Sequence, residues 1–318
     1  MRIINLMENT EGKNGCAAAH GLSFYIETDH HKLLMDLGPS EETLKNAEKL
    51  GIDLTAVDTV ILSHGHYDHS GGILAFAQIN PNAVIYMQES AGEDYYSLDE
   101  TEEGTDCRYI GIDKEIRDLP QVKCIKGDFA IDDELSLFTI DQRICDVPFS
   151  NRRLKQKKGD DLVQDDFAHE QCLVVCDGER RILFSGCAHN GILNILAEYQ
   201  RKYDGQPDAV ISGFHLMKKG KYTEDEIKEI LSIARELKKY RTLFYTCHCT
   251  SLPAFDIMKL VLDDQLRYVH SGDEIKSFDA PAAPKKKGKN SFMKFHKFFA
   301  WATVFCFIMT MVTGYKRK

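Results

Sequence analysis

"LSHGHYDHSGG", residues 62–72, sets three imidazoles and a carboxylate within six positions: His64, His66, Asp68 and His69. An apolar, β-branched run, "AVDTVILS" (56–63), leads into it, and "GGILAFAQI" (71–79) leads out. The first reads as a buried strand and the second as a helix that Pro81 terminates. Side chains two apart on an extended segment point the same way. His64 and His66 can therefore grip one ion together while Asp68 and His69 face a neighbouring position. Imidazole with carboxylate suits Zn²⁺ or iron and not Ca²⁺ or Mg²⁺. Few purely structural demands put such a set at a strand end.

Upstream, "GLSFYIET" (21–28) and "KLLMDLG" (32–38) are short β-like runs separated by the turn-like "DHH". "PSEETLKNAEKLG" (39–51) predicts a helix with Pro39 and Ser40 at its start, Leu44, Ala47 and Leu50 on one face, and Gly51 as its stop. Downstream, "QCLVVCDGERRILFSG" (171–186) reads as a hairpin. "ILNILAEYQRKY" (192–203) and "EDEIKEILSIARELKKY" (224–240) predict helices that alternate with the strands "DAVISG" (208–213) and "RTLFYT" (241–246). That alternation implies a layered α/β domain. Its strands run into Cys187 and His189, His215, and His248, and functional groups at strand C-termini are the usual layout of α/β sites.

Residues 90–165 are less regular. They open acidic, continue as the plausible strands "DLPQVKCIKGDF" (118–129) and "ELSLFTID" (134–141), and reach the cationic "NRRLKQKKGDD" (151–161). This last run reads as a solvated loop, with a lid touching an anionic substrate as the alternative.

Charge is uneven along the 318 residues. Residues 281–318 hold nine Lys/Arg and no Asp/Glu, leaving 31 positive against 49 negative charges, a balance of −18, in the first 280. A body that acidic repels a polyanion, so nucleic-acid binding is excluded as a general function. The ten cysteines are scattered and the opening residues have no export-signal pattern, which predicts reduced cytosolic thiols.

The "HGHYDH" loop, its apolar strand and the two glycines after it resemble the metallo-β-lactamase superfamily of metal-dependent hydrolases. In order, "GLSFYIE", "LLMDLG", "LKNAEKLGIDL", "DDFAHEQCLVV", "FSGCAHNGI", "SGFHL" and "HCTS" look like its dihydropterin ribofuranosylaminobenzene-phosphate synthase-like branch. The resemblance covers residues 1–275 and implies a four-layer αββα sandwich.

It also implies roles. His64 and His66 match ligands of a first metal; Asp68, His69 and His248 match ligands of a second. Asp36 matches an acid that supports the site from behind. Two departures stand out. No histidine occurs from 70 to 168, and the bridging Asp expected after "LFSG" is Cys187, with His189 two residues on. We read His189 as completing the first position and Cys187 as a thiolate for the second. His215 is a candidate for substrate contact, His169 and Glu170 are weaker ones, and Cys247 with Cys249 makes no separate zinc site.

The expected activity is hydrolysis of a small substrate by a hydroxide that one or two metal ions generate from water, with zinc first and iron or manganese as alternatives. A phosphate ester is the first choice and a lactone or other acyl compound the second. Asp68 would orient the nucleophile and His215 touch the developing oxyanion. The branch also implies a synthase reaction as the alternative. Diiron reductases of the superfamily place Glu where His66 stands, so that chemistry is set aside. A metal-binding regulator without turnover stays open.

The tail reads as a Pro/Ala and Lys-rich linker (276–297) and then 18 uncharged residues, 298–315. As a helix these span about 27 Å, within range for a single transmembrane anchor. Six lysines before it against three basic residues after it predict a catalytic domain on the cytoplasmic face. Thr303, Cys306, Thr310 and Thr313 share one face, which suggests homo-oligomerisation through the anchor.

Overall fold

Strict inside–outside alternation along short strands organises the chain. Ile3, Phe24, Leu33, Ile61 and Tyr86 point to one buried cluster, and their neighbours Ile4, Tyr25, Leu34, Val60 and Ile85 point to another. Residues with period two that are apolar on both faces build a sheet covered on both sides. The computed structural model describes residues 1–12, 14–101, 103–276 and 278. Residues 1–280 form one compact unit.

The first part of the chain contains β1 (Arg2–Met7), β2 (Ser23–Glu27), β3 (Lys32–Met35), α1 (Glu42–Lys49), β4 (Thr59–Ile61), α2 (Tyr67–Ser70), α3 (Ile73–Ile79) and β5 (Val84–Gln88). The middle contributes β6 (Tyr95–Thr101), β7 (Gly104–Tyr109), β8 (Val122–Ile125), β9 (Phe129–Ala130), β10 (Leu135–Phe138), β11 (Leu154–Lys158) and β12 (Asp161–Gln164). Then follow β13 (Cys172–Asp177), β14 (Arg180–Ser185), α4 (Ile192–Lys202), β15 (Ala209–Ser212) and α5 (Glu224–Leu237). The last elements are β16 (Leu243–Thr246), α6 (Leu252–Leu262), β17 (Leu266–Tyr268) and β18 (Glu274–Ile275).

Two seven-stranded sheets, ordered β18-β1-β2-β3-β4-β5-β8 and β17-β16-β15-β14-β13-β10-β9, face each other across one core. Phe24 and Phe184, one from each sheet, meet there edge to face at 6.2 Å. Helices α1 and α3 cover the outer face of the first sheet through Leu44, Ala47, Ile73 and Phe76. Helices α4, α5 and α6 cover the second through residues such as Ile195, Ile230 and Met258. The result is a mixed α/β sandwich, as expected.

β3, β4 and β5 are parallel, as are β14, β15, β16 and β17. The loops after β3, β4, β14, β15 and β16 carry the candidate residues, so strand direction gathers them at one edge of the sandwich.

Three expectations change. The "HGHYDH" segment is not extended: β4 ends at Ile61, the chain bends at His64 and Gly65 with the His66 amide donating to the His64 carbonyl, and Tyr67 to Ser70 form a helical turn, so the four ligand candidates leave by bend and helical rather than strand geometry. Residues 151–161 are no solvated loop: β11 and β12 pair with β6 and β7 in a third, four-stranded sheet, β12-β11-β6-β7. The membrane-anchored localisation is also corrected. No helix among the described residues is long and apolar enough to cross a membrane. The longest, α5, has 14 residues, opens on Glu224, Asp225 and Glu226, and packs one apolar face on the second sheet. At about 1.5 Å per residue it spans about 21 Å. Residues 298–315, on which the anchor and the oligomerisation face were placed, lie outside the described residues.

Candidate metal centre

The site begins with a carboxylate at the end of β3. Asp36 sits at φ 61°, a left-handed conformation that costs a non-glycine residue energy and is kept where the surroundings fix it. Its Oδ1 accepts from the Ser63 amide at 2.7 Å, and its Oδ2 from Ser63 Oγ at 2.7 Å and from His69 Nδ1 at 2.6 Å. Because the Ser63 hydroxyl proton goes to Asp36, Ser63 Oγ accepts from His64 Nδ1, 2.8 Å away.

The same logic fixes two more rings. His189 Nδ1 lies 3.0 Å from Asn151 Oδ1, while the Asn151 amide donates to the His189 carbonyl. His248 Nδ1 lies 2.8 Å from Asn9 Oδ1, while the Asn9 amide donates to the His248 carbonyl. In His64, His69, His189 and His248 an oxygen thus takes the Nδ1 proton, and Nε2 is left as the ligating nitrogen.

Those nitrogens converge. His64 Nε2 and His189 Nε2 are 3.2 Å apart, and with His66 they form one group of three ligand atoms within 4.8 Å of one another. A second group collects around Asp68. Its Oδ2 lies 3.4 Å from His248 Nε2, 3.4 Å from His20 Nε2 and 3.8 Å from His69 Nε2. Cys187 Sγ is 3.2 Å from His69 Nε2, and Cys187, His248 and Cys249 form a further trio. The buried Nε2 atoms of His66 and His248 have no hydrogen-bond partner. For His248 the carboxylate of Asp68 is close but not in hydrogen-bonding geometry.

Electrostatics keeps the ligand atoms unprotonated. Burial, then neighbouring histidines, pushes His64 and His189 well below the usual imidazole range. Burial likewise brings His66 and His248 down to about 3. His69 is the exception: burial opposes its charge, but Asp36 and Asp68 raise it. Burial alone would raise the Asp68 carboxyl, yet His69 and His248 hold it well below the carboxylate range. Burial pushes the Cys187 thiol up, with Cys249 adding to the effect. A field that favours a proton on His69 also favours a metal cation at its Nε2, and such a cation would draw Cys187 towards the thiolate.

The packing leaves little slack. A Cβ on Gly186 would sit 2.2 Å from Ser63 Oγ and 3.1 Å from His64 Nδ1. Phe167 stacks on the His189 ring at 4.9 Å and 7°. His215 is held at φ 46° with Nδ1 2.7 Å from Ser150 Oγ, and its ring lies 4.1 Å from that of His189. His20, Tyr67, Arg108, Arg153 and Met217 are among the other residues lining the cleft above the cluster.

All eight site residues expected from the sequence meet here. The two weaker candidates take supporting positions. His169 Nδ1 accepts from the Gly65 amide, and its Nε2 lies 3.1 Å from Asp165, where His66, Asp165 and His169 make a further group with the spacing to hold an ion. Glu170 accepts from the His189 and Asn190 amides. Cys247 packs into the core between the sheets, whereas Cys249 turns towards Cys187, so no separate Cys247–Cys249 pair exists. Sequence reasoning missed His20, Cys249, Asn9 and Ser150. Of these only Cys249 carried a signal, its place beside His248 in "HCTS", where it reads only as half of a separate pair.

Comparison with known proteins agrees with this architecture. The sequence profile of the metallo-β-lactamase superfamily matches residues 18–132. A solved metal-dependent hydrolase of the β-lactamase superfamily is 30% identical, with a TM-score of 0.72 over 87% of this chain and 99% of that one. The chain belongs to the metallo-β-lactamase superfamily.

Two curated superfamily relatives come from Methanocaldococcus jannaschii. An uncharacterized protein is 30% identical over 217 residues, 67% of this chain and 78% of its own. A 7,8-dihydropterin-6-methyl-4-(β-D-ribofuranosyl)-aminobenzene-5′-phosphate synthase is 28% identical over 300 residues, 87% of this chain and 96% of its own. Within this superfamily chain, several His, Cys and Asp groups have the spacing to hold metal ions.

Proposed function

We propose that the chain is a metal-dependent hydrolase of a small substrate, a phosphate ester first and a lactone second. The observation that carries this reading is the pair of adjoining ligand groups, with four Nε2 atoms freed by oxygen acceptors on Nδ1. His64, His66 and His189 would hold a first ion. Asp68, His69 and His248, with Cys187, would hold a second. The donor set fits zinc, with iron or manganese as alternatives. When bound, such ions supply Lewis acidity, lowering the pKa of water and polarising a phosphoryl or carbonyl oxygen.

The protein's own groups do the rest. Asp36 and Asn151 fix the ring orientations of His69 and His189. Asp68 stays ionised, and half-exposed His20 beside it offers a path for a proton to solvent. Ser150 Oγ also donates to the His215 carbonyl, so it accepts from His215 Nδ1. The other His215 nitrogen then carries a lone pair. That favours His215 as acceptor from water or a substrate hydroxyl over donor to an oxyanion.

The test is a screen of phosphate monoesters, diesters and lactones with metal-loaded protein and its Asp68→Ala variant. Turnover by the wild type and loss in the variant supports the reading; no turnover of any class counts against it. The similarity to the synthase favours one second reading, a transferase reaction of that type. Formation of the dihydropterin product, without ester or lactone turnover, would select it.

A further inference from the structure

The third sheet hangs charged side chains over the metal cleft. Its centre is Ser97, fully buried on β6, paired with Arg108 of β7 on one side and with Leu154 of β11 on the other. Arg153 therefore lies across from Arg108 with β6 between them. Asp99, two residues on from Ser97, holds both. Its Oδ1 accepts from Arg153 Nη1 at 2.6 Å and its Oδ2 from Arg108 Nε at 3.2 Å. Arg153 also donates to Ser97 Oγ at 2.7 Å, and Arg108 reaches the Tyr67 hydroxyl at 3.5 Å.

Two guanidinium groups share one carboxylate, so one positive charge is left over. Both line the cleft that holds Asp68, His189, His215 and His248. Arg153 is close enough to add to the downward push on His215 and His20, behind the larger effect of burial in each. An excess cation is unusual in a body with a balance of −18. Planar guanidinium groups fixed by a carboxylate lose little freedom when they take an anion, and phosphate matches their geometry.

We propose that Arg108 and Arg153, set by Asp99, form a subsite for a phosphate group of the substrate beside the metal centre. This deepens the hydrolase reading and rests on it for the identity of the reacting centre. Arg153 is the stronger element, because Ser97 and Asp99 both orient it. Arg108, on a strand exposed along its length, closes the subsite from the solvent side.

The test uses the full chain loaded with zinc and two probes measured by calorimetry: phenylphosphonate, which is not hydrolysed, and acetohydroxamic acid, which is uncharged in neutral solution, carries no phosphoryl group and reports on the metal alone. Arg108→Met and Arg153→Met should each weaken phenylphosphonate at least about fivefold, as loss of a charge-assisted bond predicts, while acetohydroxamate affinity holds. Arg153→Lys should recover part of the loss. Phenylphosphonate affinity within about fivefold of wild type in either Met variant overturns the proposal. Should Arg153→Met loosen the sheet, seen as a lower melting temperature, the edge-strand variant Arg108→Met decides alone. Arginine-dependent phosphonate binding without ester turnover would sink the hydrolase reading and leave the subsite standing. Turnover with unchanged kcat/KM in both variants would do the reverse.

Discussion

Asp36 Oδ2 lies 2.6 Å from His69 Nδ1, and the same oxygen takes the Ser63 hydroxyl proton. One buried carboxylate thereby sets two imidazoles, His69 directly and His64 through Ser63. Asp36→Asn keeps the volume but opposes an amide N–H to one of these donors. We expect the variant to fold and its metal affinity to fall about 10- to 100-fold, as for other losses of a ligand's hydrogen-bond partner. Competition with a chromogenic chelator measures this; unchanged affinity would show that Asp36 does not set the ligands.

Cys187 stands 3.2 Å from His69 Nε2 and groups with His69 and His64, while the His64, His66 and His189 group closes without it. Cys187→Ala should therefore lower metal content at one position and spare the other. In cobalt-substituted protein it should also remove the near-ultraviolet thiolate-to-metal band. A cobalt spectrum identical to wild type would make Cys187 a buried thiol and nothing more.

Gly186 lets β14 run past the "HGHYDH" loop at contact distance. In Gly186→Ala the new Cβ, 2.2 Å from Ser63 Oγ, must displace the side chain that orients His64. We expect a loss of about 1–3 kcal/mol in denaturant unfolding, with weaker metal retention. Wild-type stability and metal content together would refute this close packing.

How much of this was legible in the sequence follows from how local each signal is. The "HGHYDH" cluster is written in consecutive residues, and the strands that flank it alternate cleanly because the sheets are covered on both faces. His189, His215 and His248 could be found because each follows a short apolar strand. β7 gave no such signal: all six of its residues are exposed, so no face is marked by apolar side chains. Arg108 was hidden for that reason, whereas Arg153 lies in the cationic run 151–161, read as a solvated loop with a lid touching an anionic substrate as the alternative. His20 follows an alanine run with no strand or helix pattern of its own, and only the fold brings it to 3.4 Å from Asp68. The helical turn at Tyr67 replaces an extended reading because backbone hydrogen bonding, not residue spacing, decides that geometry.

Far from the cleft, His31 joins the two sheets: Nδ1 lies 2.7 Å from Asp58 and Nε2 2.6 Å from Asp132. Both contacts are hydrogen bonds only when both nitrogens carry protons. Burial opposes that charge, but the two carboxylates outweigh it and raise the pKa. A raised pKa gives stability that is complete below the unfolded value, about 6.5, and is lost as pH rises through the folded value. His31→Ala should cost about 1–2 kcal/mol near pH 6 and progressively less as pH rises above neutrality. Urea unfolding across that range checks it; a cost independent of pH would contradict the doubly protonated bridge.

The most direct test of the account is metal content per chain, by elemental analysis of the 318-residue chain purified without added metal or chelator. Two adjoining ligand groups predict about two transition-metal ions per chain. No bound metal, and none regained on adding zinc, iron or manganese, would contradict the metal centre and leave only the superfamily fold.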